Sequence, residues 1–198
     1  MTLLHHPPLI LASASPRRRD LLRQVGFEPL IEPADVVEVR QPGESPEAMV
    51  LRLARDKAHA VRLQHPEAVV LAADTVVVLG DEVLGKPRHG DDHHRMLVAL
   101  SGQTHRVLTG VALVGPDCDE AFFRQTGVTF RHLLDWEIDH YVASHEGDDK
   151  AGGYAIQGIG AGLVSRIEGS YSNVVGLPLA EVLEHLYRLG IRPDWSGL

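Results

Sequence analysis

Three arginines, Arg17, Arg18 and Arg19, follow Ser13-Ala14-Ser15-Pro16 directly after the short apolar run Leu9-Ile10-Leu11. Ser15 suits a helix N-cap and Pro16 the first helical position, while Leu21, Leu22 and Val25 make an apolar stripe that Gly26 can terminate. The arginines then fall in the first helical turn, where unpaired N–H groups and the macrodipole already place positive charge. Each like-signed side chain costs roughly 0.3–1 kcal/mol there. A bound anion reverses the sign of that term. The N–H groups, the Ser13 and Ser15 hydroxyls and the guanidinium forks of Arg17 and Arg18 can converge on phosphate oxygens. A solvated basic turn is the competing reading, and this segment alone leaves both standing.

Asp74 is the sharpest single candidate for chemistry, because it interrupts the β-rich run Val69–Val78. A carboxylate buried there needs a cation, either a metal or a lysine, to offset several kcal/mol of desolvation. The alternative is a strand-end aspartate making turn hydrogen bonds. Lys57 shares a helical stripe with Val50, Leu53, Ala54, Ala58 and Val61, so it points inward, although a lysine can also lie along such a stripe for purely structural reasons. Lys86 precedes Pro87 in a restricted, extended position at the exit of a hairpin. Both lysines are candidates for neutralising phosphate charge. Glu38, in Val36-Val37-Glu38-Val39-Arg40, is either an exposed strand residue or a second carboxylate for a cation, and read unaided it is exposed. Lys150 borders a glycine-rich passage, with the site and surface readings evenly placed.

The elements that must position these residues alternate between strand and helix, which favours an α/β class. Ser45-Pro46 opens the helix that carries Lys57. Val69–Ala73 and Thr75–Leu79 flank Asp74, and Gly80-Asp81 turns the chain toward Val83–Pro87. Asp91 or Asp92 is expected to cap a helix bearing Met96, Leu97 and Leu100, closed by Gly102 before a strand over Val107–Val114. Val128–Leu133 reads as a strand, and Asp135 as the cap of a helix with Ile138, Tyr141 and Val142. Asp149–Gly162, with five glycines, reads as a binding loop. A last helix carries Val182, Leu183, Leu186 and Leu189, and the final eight residues read as a loose tail.

With 198 residues and 44% hydrophobic content the chain can bury one substantial core. Its formal charge of −8 and 5% aromatic content argue against nucleic acid and for a small anionic ligand met by a local basic cluster. The single Cys118 fits a reducing compartment, so the expected location is the cytoplasm, and no apolar run suggests a membrane span. There is no G-x-x-x-x-G-K-[ST] loop, no dinucleotide fingerprint and no G-x-S-x-G elbow. The twelve histidines, with the pairs His5-His6 and His93-His94, form no H-E-x-x-H arrangement and read as surface residues.

Across residues 9–189 the sequence resembles the Maf family of nucleoside triphosphate pyrophosphatases. The resemblance lies in Ala12-Ser13-Ala14-Ser15-Pro16-Arg17-Arg18, Ala73-Asp74-Thr75, Lys86-Pro87, Ser101-Gly102, Lys150-Ala151-Gly152 and Gly169-Ser170-Tyr171. It implies a single domain over 1–198, with an N-terminal extension at 1–8 and a tail at 190–198. The implied fold is mixed α/β, like the inosine triphosphate pyrophosphatases, with an elongated sheet, flanking helices and two lobes around a nucleotide cleft. The implied reaction releases pyrophosphate from a nucleoside triphosphate with a divalent cation, magnesium first and manganese second. Asp74 matches the family's catalytic aspartate, Ser13, Arg18, Lys57 and Lys86 its phosphate-binding residues, and Glu38 its additional acidic residue, placing Asp74 and Glu38 at the metal.

The resemblance extends to the branch acting on dTTP and UTP, which carries arginine, threonine and glutamine where this chain has Arg17, Thr75 and Gln157. A sister branch acting on 7-methyl-GTP carries tryptophan, glutamine and glutamate there. Gln157 offers both a donor and an acceptor to a uracil or thymine edge, whereas a glutamate only accepts. The family further implies a homodimer. Housecleaning of modified pyrimidine nucleotides is the nearest variant of this function. A nucleotide-binding regulator of cell division, with incidental hydrolysis, is the alternative from a different class.

Overall fold

Apolar, β-branched runs form a mixed seven-stranded sheet in the computed structural model, which describes residues 7–196. Residues 1–6 of the expected extension, His5 and His6 among them, and the last two of the expected tail lie outside the described residues. The strands are β1 (Leu9–Leu11), β2 (Leu30–Ile31), β3 (Val69–Leu79), β4 (Glu82–Leu84), β5 (Thr104–Val114), β6 (Asp119–Phe130) and β7 (Val164–Glu168). Their order is β2-β1-β3-β5-β6-β7, with β4 paired to β3. β1 runs parallel to β2, pairing Ile10 with Leu30, and parallel to β3, pairing Ile10 with Val70. β3–β4 and β6–β7 are antiparallel. The helices are α1 (Pro16–Gln24), α2 (Pro46–Arg62), α3 (Gly90–Leu100), α4 (Asp135–Ala143), α5 (Tyr171–Val175) and α6 (Leu179–Arg188). This is the expected α/β class. None of these helices is long and apolar enough to cross a membrane.

The chain divides into two compact units. The first comprises residues 1–74, 110–123 and 176–198. Its core joins Ile10 and Ala12, Val70 and Ala72, and Ala112 and Val114 of the sheet region to Ala54, Ala58 and Val61 of α2. The helix comes very close to β5, because a Cβ at Gly110 would lie 2.3 Å from the Val50 carbonyl oxygen. Only glycine permits that approach, and it fixes the height of α2 over the sheet. The C-terminal segment is docked rather than loose, with Ile191 buried, the Asp194 N–H donating to Gly26 O at 3.0 Å and Trp195 Nε1 donating to Val25 O at 3.0 Å.

The second unit comprises residues 75–109 and 124–175. Helix α3 is capped by His89, whose Nδ1 accepts the Asp92 N–H at 3.2 Å, and not by Asp91 or Asp92. The Asp92 carboxylate instead accepts the Arg88 backbone N–H at 3.2 Å, and this bond, together with the Arg95 and Arg88 guanidinium groups, holds it at about 2, below the ordinary aspartate value. Leu134, not Asp135, is the N-cap residue of α4, and its N–H donates to Glu137 Oε2 at 2.9 Å. The expected strand at 128–133 is the end of the longer β6, which stops at Phe130. The glycine-rich passage folds into two short 3-10 turns, Ala151–Gly153 and Gly158–Leu163, followed by β7.

Candidate active site

β1 leads straight into the serine-rich turn of the first unit. The Ala12 N–H still bonds across to Leu71 O at 2.8 Å, after which the Ser13 N–H turns back to Leu11 O at 2.9 Å. Ser13 is buried, and its hydroxyl accepts from the Ser15 N–H at 3.2 Å and from Arg18 Nη1 at 3.1 Å. Arg18 Nε donates to Gly176 O at 2.9 Å. The guanidinium is therefore held at two points on different segments, a constraint that suits its planar fork. Burial draws its pKa below the ordinary arginine value; the Asp74 and Glu38 charges oppose that shift and Arg17 adds to it. Arg17, half-buried, lies in the same helical turn.

Helix α2 delivers Lys57 as its stripe requires. Met49, Val50, Leu53, Ala54, Ala58 and Val61 are buried with it, and Lys57 itself is only 7% exposed. Its ammonium lies 2.7 Å from Asp74 Oδ1 and 2.5 Å from Glu38 Oε1. Asp74 is equally buried, at 7% exposure, within the continuous strand β3. The partner of the buried carboxylate is thus the lysine, as burial of charge demands. Glu38 combines both readings of the sequence: its side chain is 44% exposed, outside any regular strand, and its carboxylate still reaches Lys57.

Two carboxylates thus converge on one cationic position. Among the described residues, no group of three or more histidine, cysteine, aspartate or glutamate side chains forms a metal cage. The donor set suits a hard divalent ion that draws the rest of its shell from phosphate and water oxygens, as magnesium does in nucleotide sites. Asp74 and Glu38 are compatible with that ion.

The remaining expected site residues belong to the second unit. The Thr75 and Thr109 hydroxyls lie 3.0 Å apart, and Thr109 Oγ1 donates to Asn173 O at 3.0 Å. Asn173, fully buried, donates through Nδ2 to Val107 O and Thr126 Oγ1. Lys86 is exposed just beyond β4, and Gln157 is exposed at the N-cap of the second 3-10 turn. The Lys150 ammonium donates to Glu146 O and to Asp149. Two features of this unit escaped the sequence reading. Glu146 accepts the Ile159 and Gly160 N–H groups at 2.9 and 2.8 Å, a cap from outside the turn it serves. His93 and His105, expected on the surface, are each only 1% exposed. Spacing carries no signal for either, because their partners lie far along the chain; the one local hint is the glycine pair that makes room for His93.

The sequence model of the Maf-like protein family matches residues 8–189. The chain belongs to the Maf family. A dTTP/UTP pyrophosphatase of Myxococcus xanthus (strain DK1622) is 54% identical to this Maf chain over 189 residues, covering 96% of each protein. A dTTP/UTP pyrophosphatase of Anaeromyxobacter dehalogenans (strain 2CP-C) is 53% identical over 196 residues, covering 96% of the Maf chain and 98% of its own. Among solved structures, a HAM1 protein from Coxiella burnetii superposes with a TM-score of 0.50 at 15% identity, over 92% of this chain and 99% of that one. That likeness concerns the fold alone.

Proposed function

We propose that this Maf protein hydrolyses dTTP and UTP to the monophosphate and pyrophosphate. The observation that carries the reading is its near full-length similarity to the Myxococcus xanthus dTTP/UTP pyrophosphatase, 54% identical over 96% of both chains. The Lys57, Asp74, Glu38 and Arg18 constellation supports phosphate chemistry within that reading.

Asp74 is the catalytic residue in this reading. Lys57 engages its Oδ1, so the other carboxylate oxygen takes a proton from the water that attacks the α-phosphorus. Arg18, Lys57 and Lys86 neutralise charge on the transferring and leaving phosphates, while Ser13 and the first-turn N–H groups of α1 orient them. Gln157 offers the pyrimidine edge a donor and an acceptor, with Arg17 and Thr75 completing selection. Asp74 and Glu38 would hold magnesium, or manganese in its place; bound there, the ion supplies positive charge against the phosphate oxygens.

The test is pyrophosphate release with magnesium from dTTP, UTP, CTP, GTP and 7-methyl-GTP, alongside Asp74→Asn. Selective release from dTTP and UTP is expected, with turnover in the variant lower by about 10²–10⁴-fold and nucleotide binding kept. Binding without turnover by the parent protein would overturn the reading in favour of a nucleotide-binding regulator. Turnover of Asp74→Asn within a few-fold of the parent would remove Asp74 from the role of base.

A further inference from the structure

His93 lies on α3, and its ring occupies space that two glycines keep open. A Cβ at Gly153 would lie 2.7 Å from His93 Cδ2, and one at Gly147 would lie 2.7 Å from His93 Nε2 and 2.1 Å from Gly153 O. The two ring nitrogens face different partners. Nε2 is 2.6 Å from Gly153 O, and Nδ1 is 3.1 Å from Asp148 Oδ1. A carbonyl oxygen only accepts. Asp148 also only accepts, because His145 Nδ1 at 2.7 Å holds its carboxyl below the usual aspartate value. A neutral imidazole carries one N–H, so it would turn a lone pair toward one of these two acceptors. Only a ring protonated at both nitrogens donates to both.

The other groups around the ring leave Asp148 as its counter-charge. Tyr141 of α4 stands edge-on, with ring centroids 6.0 Å apart, and burial raises its phenol pKa above the ordinary range, so it is neutral. On α3 itself, Asp92 pairs with Arg95 and Arg88, and His94 faces Asp139 of α4. In the loop, Lys150 is engaged by Asp149 and Glu146 O, and exposed His145 by Asp148.

The turn that His93 grips leads to the recognition residues. The Gly153 N–H bonds to Lys150 O at 3.1 Å, and the Gly152 N–H to Gly85 O at 3.0 Å, one residue before Lys86. Four residues beyond Gly153 stands Gln157, whose far side is fixed by the Glu146 bonds to Ile159 and Gly160. We infer that His93, as an imidazolium bridging Asp148 and Gly153, is a positioning residue that sets the Lys150–Gln157 segment for choosing the nucleotide base. The inference rests on the pyrophosphatase reading only in taking that segment to face the base.

The test uses the full-length protein and two independent readouts. Nitrogen NMR of the His93 ring at neutral pH is expected to show hydrogen on both nitrogens; a singly protonated ring overturns the clamp. In kinetics, His93→Ala is expected to raise KM for dTTP and UTP about tenfold with kcat within about twofold, and to erode the preference over CTP. Asp148→Asn, whose amide can donate to a neutral ring, should keep the preference. Unchanged KM and selectivity in His93→Ala overturn the proposal. If that variant does not fold, His93→Gln, which fills the slot, takes its place under the same criteria. A parent protein that turns over no nucleotide defeats the pyrophosphatase reading instead. Calorimetric binding of dTTP against CTP by the parent and His93 variants then decides the positioning role, with equal selectivity overturning it.

Discussion

Helices α1 and α2 begin on the same dipeptide, Ser15-Pro16 and Ser45-Pro46, yet their first turns are closed differently. The Ser45 hydroxyl accepts the Ala48 N–H at 3.1 Å, and Glu47 adds a favourable negative charge beside the N-terminus. In α1 the Ser15 side chain makes no capping bond, no acid stands in the first turn, and Arg17, Arg18 and Arg19 crowd it. The dipeptide therefore marks where a helix starts without saying whether the chain itself satisfies that start. α2 is satisfied internally and serves as a rigid carrier for Lys57. α1 starts without such a side-chain cap, and in the proposed reading it is the substrate's phosphate that brings negative charge to it.

The largest test of this contrast is aimed at what α2 carries. Lys57→Met leaves Asp74 buried without its cation, so stability should fall by about 3–5 kcal/mol in urea denaturation. Lys57→Met combined with Asp74→Leu should recover most of that loss, because two apolar groups replace two charges. A single-variant cost under about 1 kcal/mol would mean that α2 does not hold the pair out of water.

A polar group left without a partner can also remain neutral, as His105 does in the second unit. Its Nε2 lies 2.8 Å from the Tyr154 hydroxyl, its Nδ1 is buried with no hydrogen-bond partner among the described residues, and burial draws its pKa down to about 4. The unfolded chain takes up this proton first, near pH 6.5, so native stability is full above that pH and falls as pH drops toward about 4. There the folded ring also protonates and the loss levels off, at about 3 kcal/mol. Denaturant midpoints measured across that window should show the decline, and His105→Gln should flatten it. An equal slope in both proteins would assign the decline to other groups. Glu44 and Glu137, held at about 2 by Arg52 and Arg131, lose their contribution as pH falls from their ordinary range toward that value.

Arg18→Lys probes the start of α1 directly. A lysine cannot span Gly176 O and Ser13 Oγ as the guanidinium does, so kcat/KM for dTTP should fall about 10–100-fold. Stability should change by less than about 1 kcal/mol, because the native arginine sits at the wrong end of the helix dipole. A stability loss without a kinetic loss would make Arg18 a structural strut.

Legibility in the sequence followed locality. The stripe on α2, the Ser-Pro starts and the isolated Asp74 are patterns confined to a few turns or one strand, and they located Lys57 and Asp74 correctly within the fold. Glu38 could not be placed unaided, because its irregular segment carries no period that points it at Lys57. The first half of β6 was missed, since its residues are mostly half-exposed and lack strict alternation; its place in the sheet depends on distant strands. The cap of α3 falls to His89 because Arg88, through its backbone N–H and its side chain, and Arg95 take the Asp92 carboxylate. Buried His93 followed the same logic, being explained by glycines more than fifty positions later.

The smallest effect separates the two helix starts most cleanly. Ser45→Ala removes a capping bond that the structure contains, so it should cost about 1 kcal/mol and leave dTTP turnover intact. Ser15→Ala removes no such bond, so its stability cost should stay within a few tenths of a kcal/mol, while KM for dTTP rises if the hydroxyl meets phosphate. Paired thermal melts and initial rates on the two variants decide the matter. Equal stability losses would mean that both serines are ordinary caps, and the arginine-rich turn would then be a solvated surface, because a chain that satisfies its own helix start has no need of an anion.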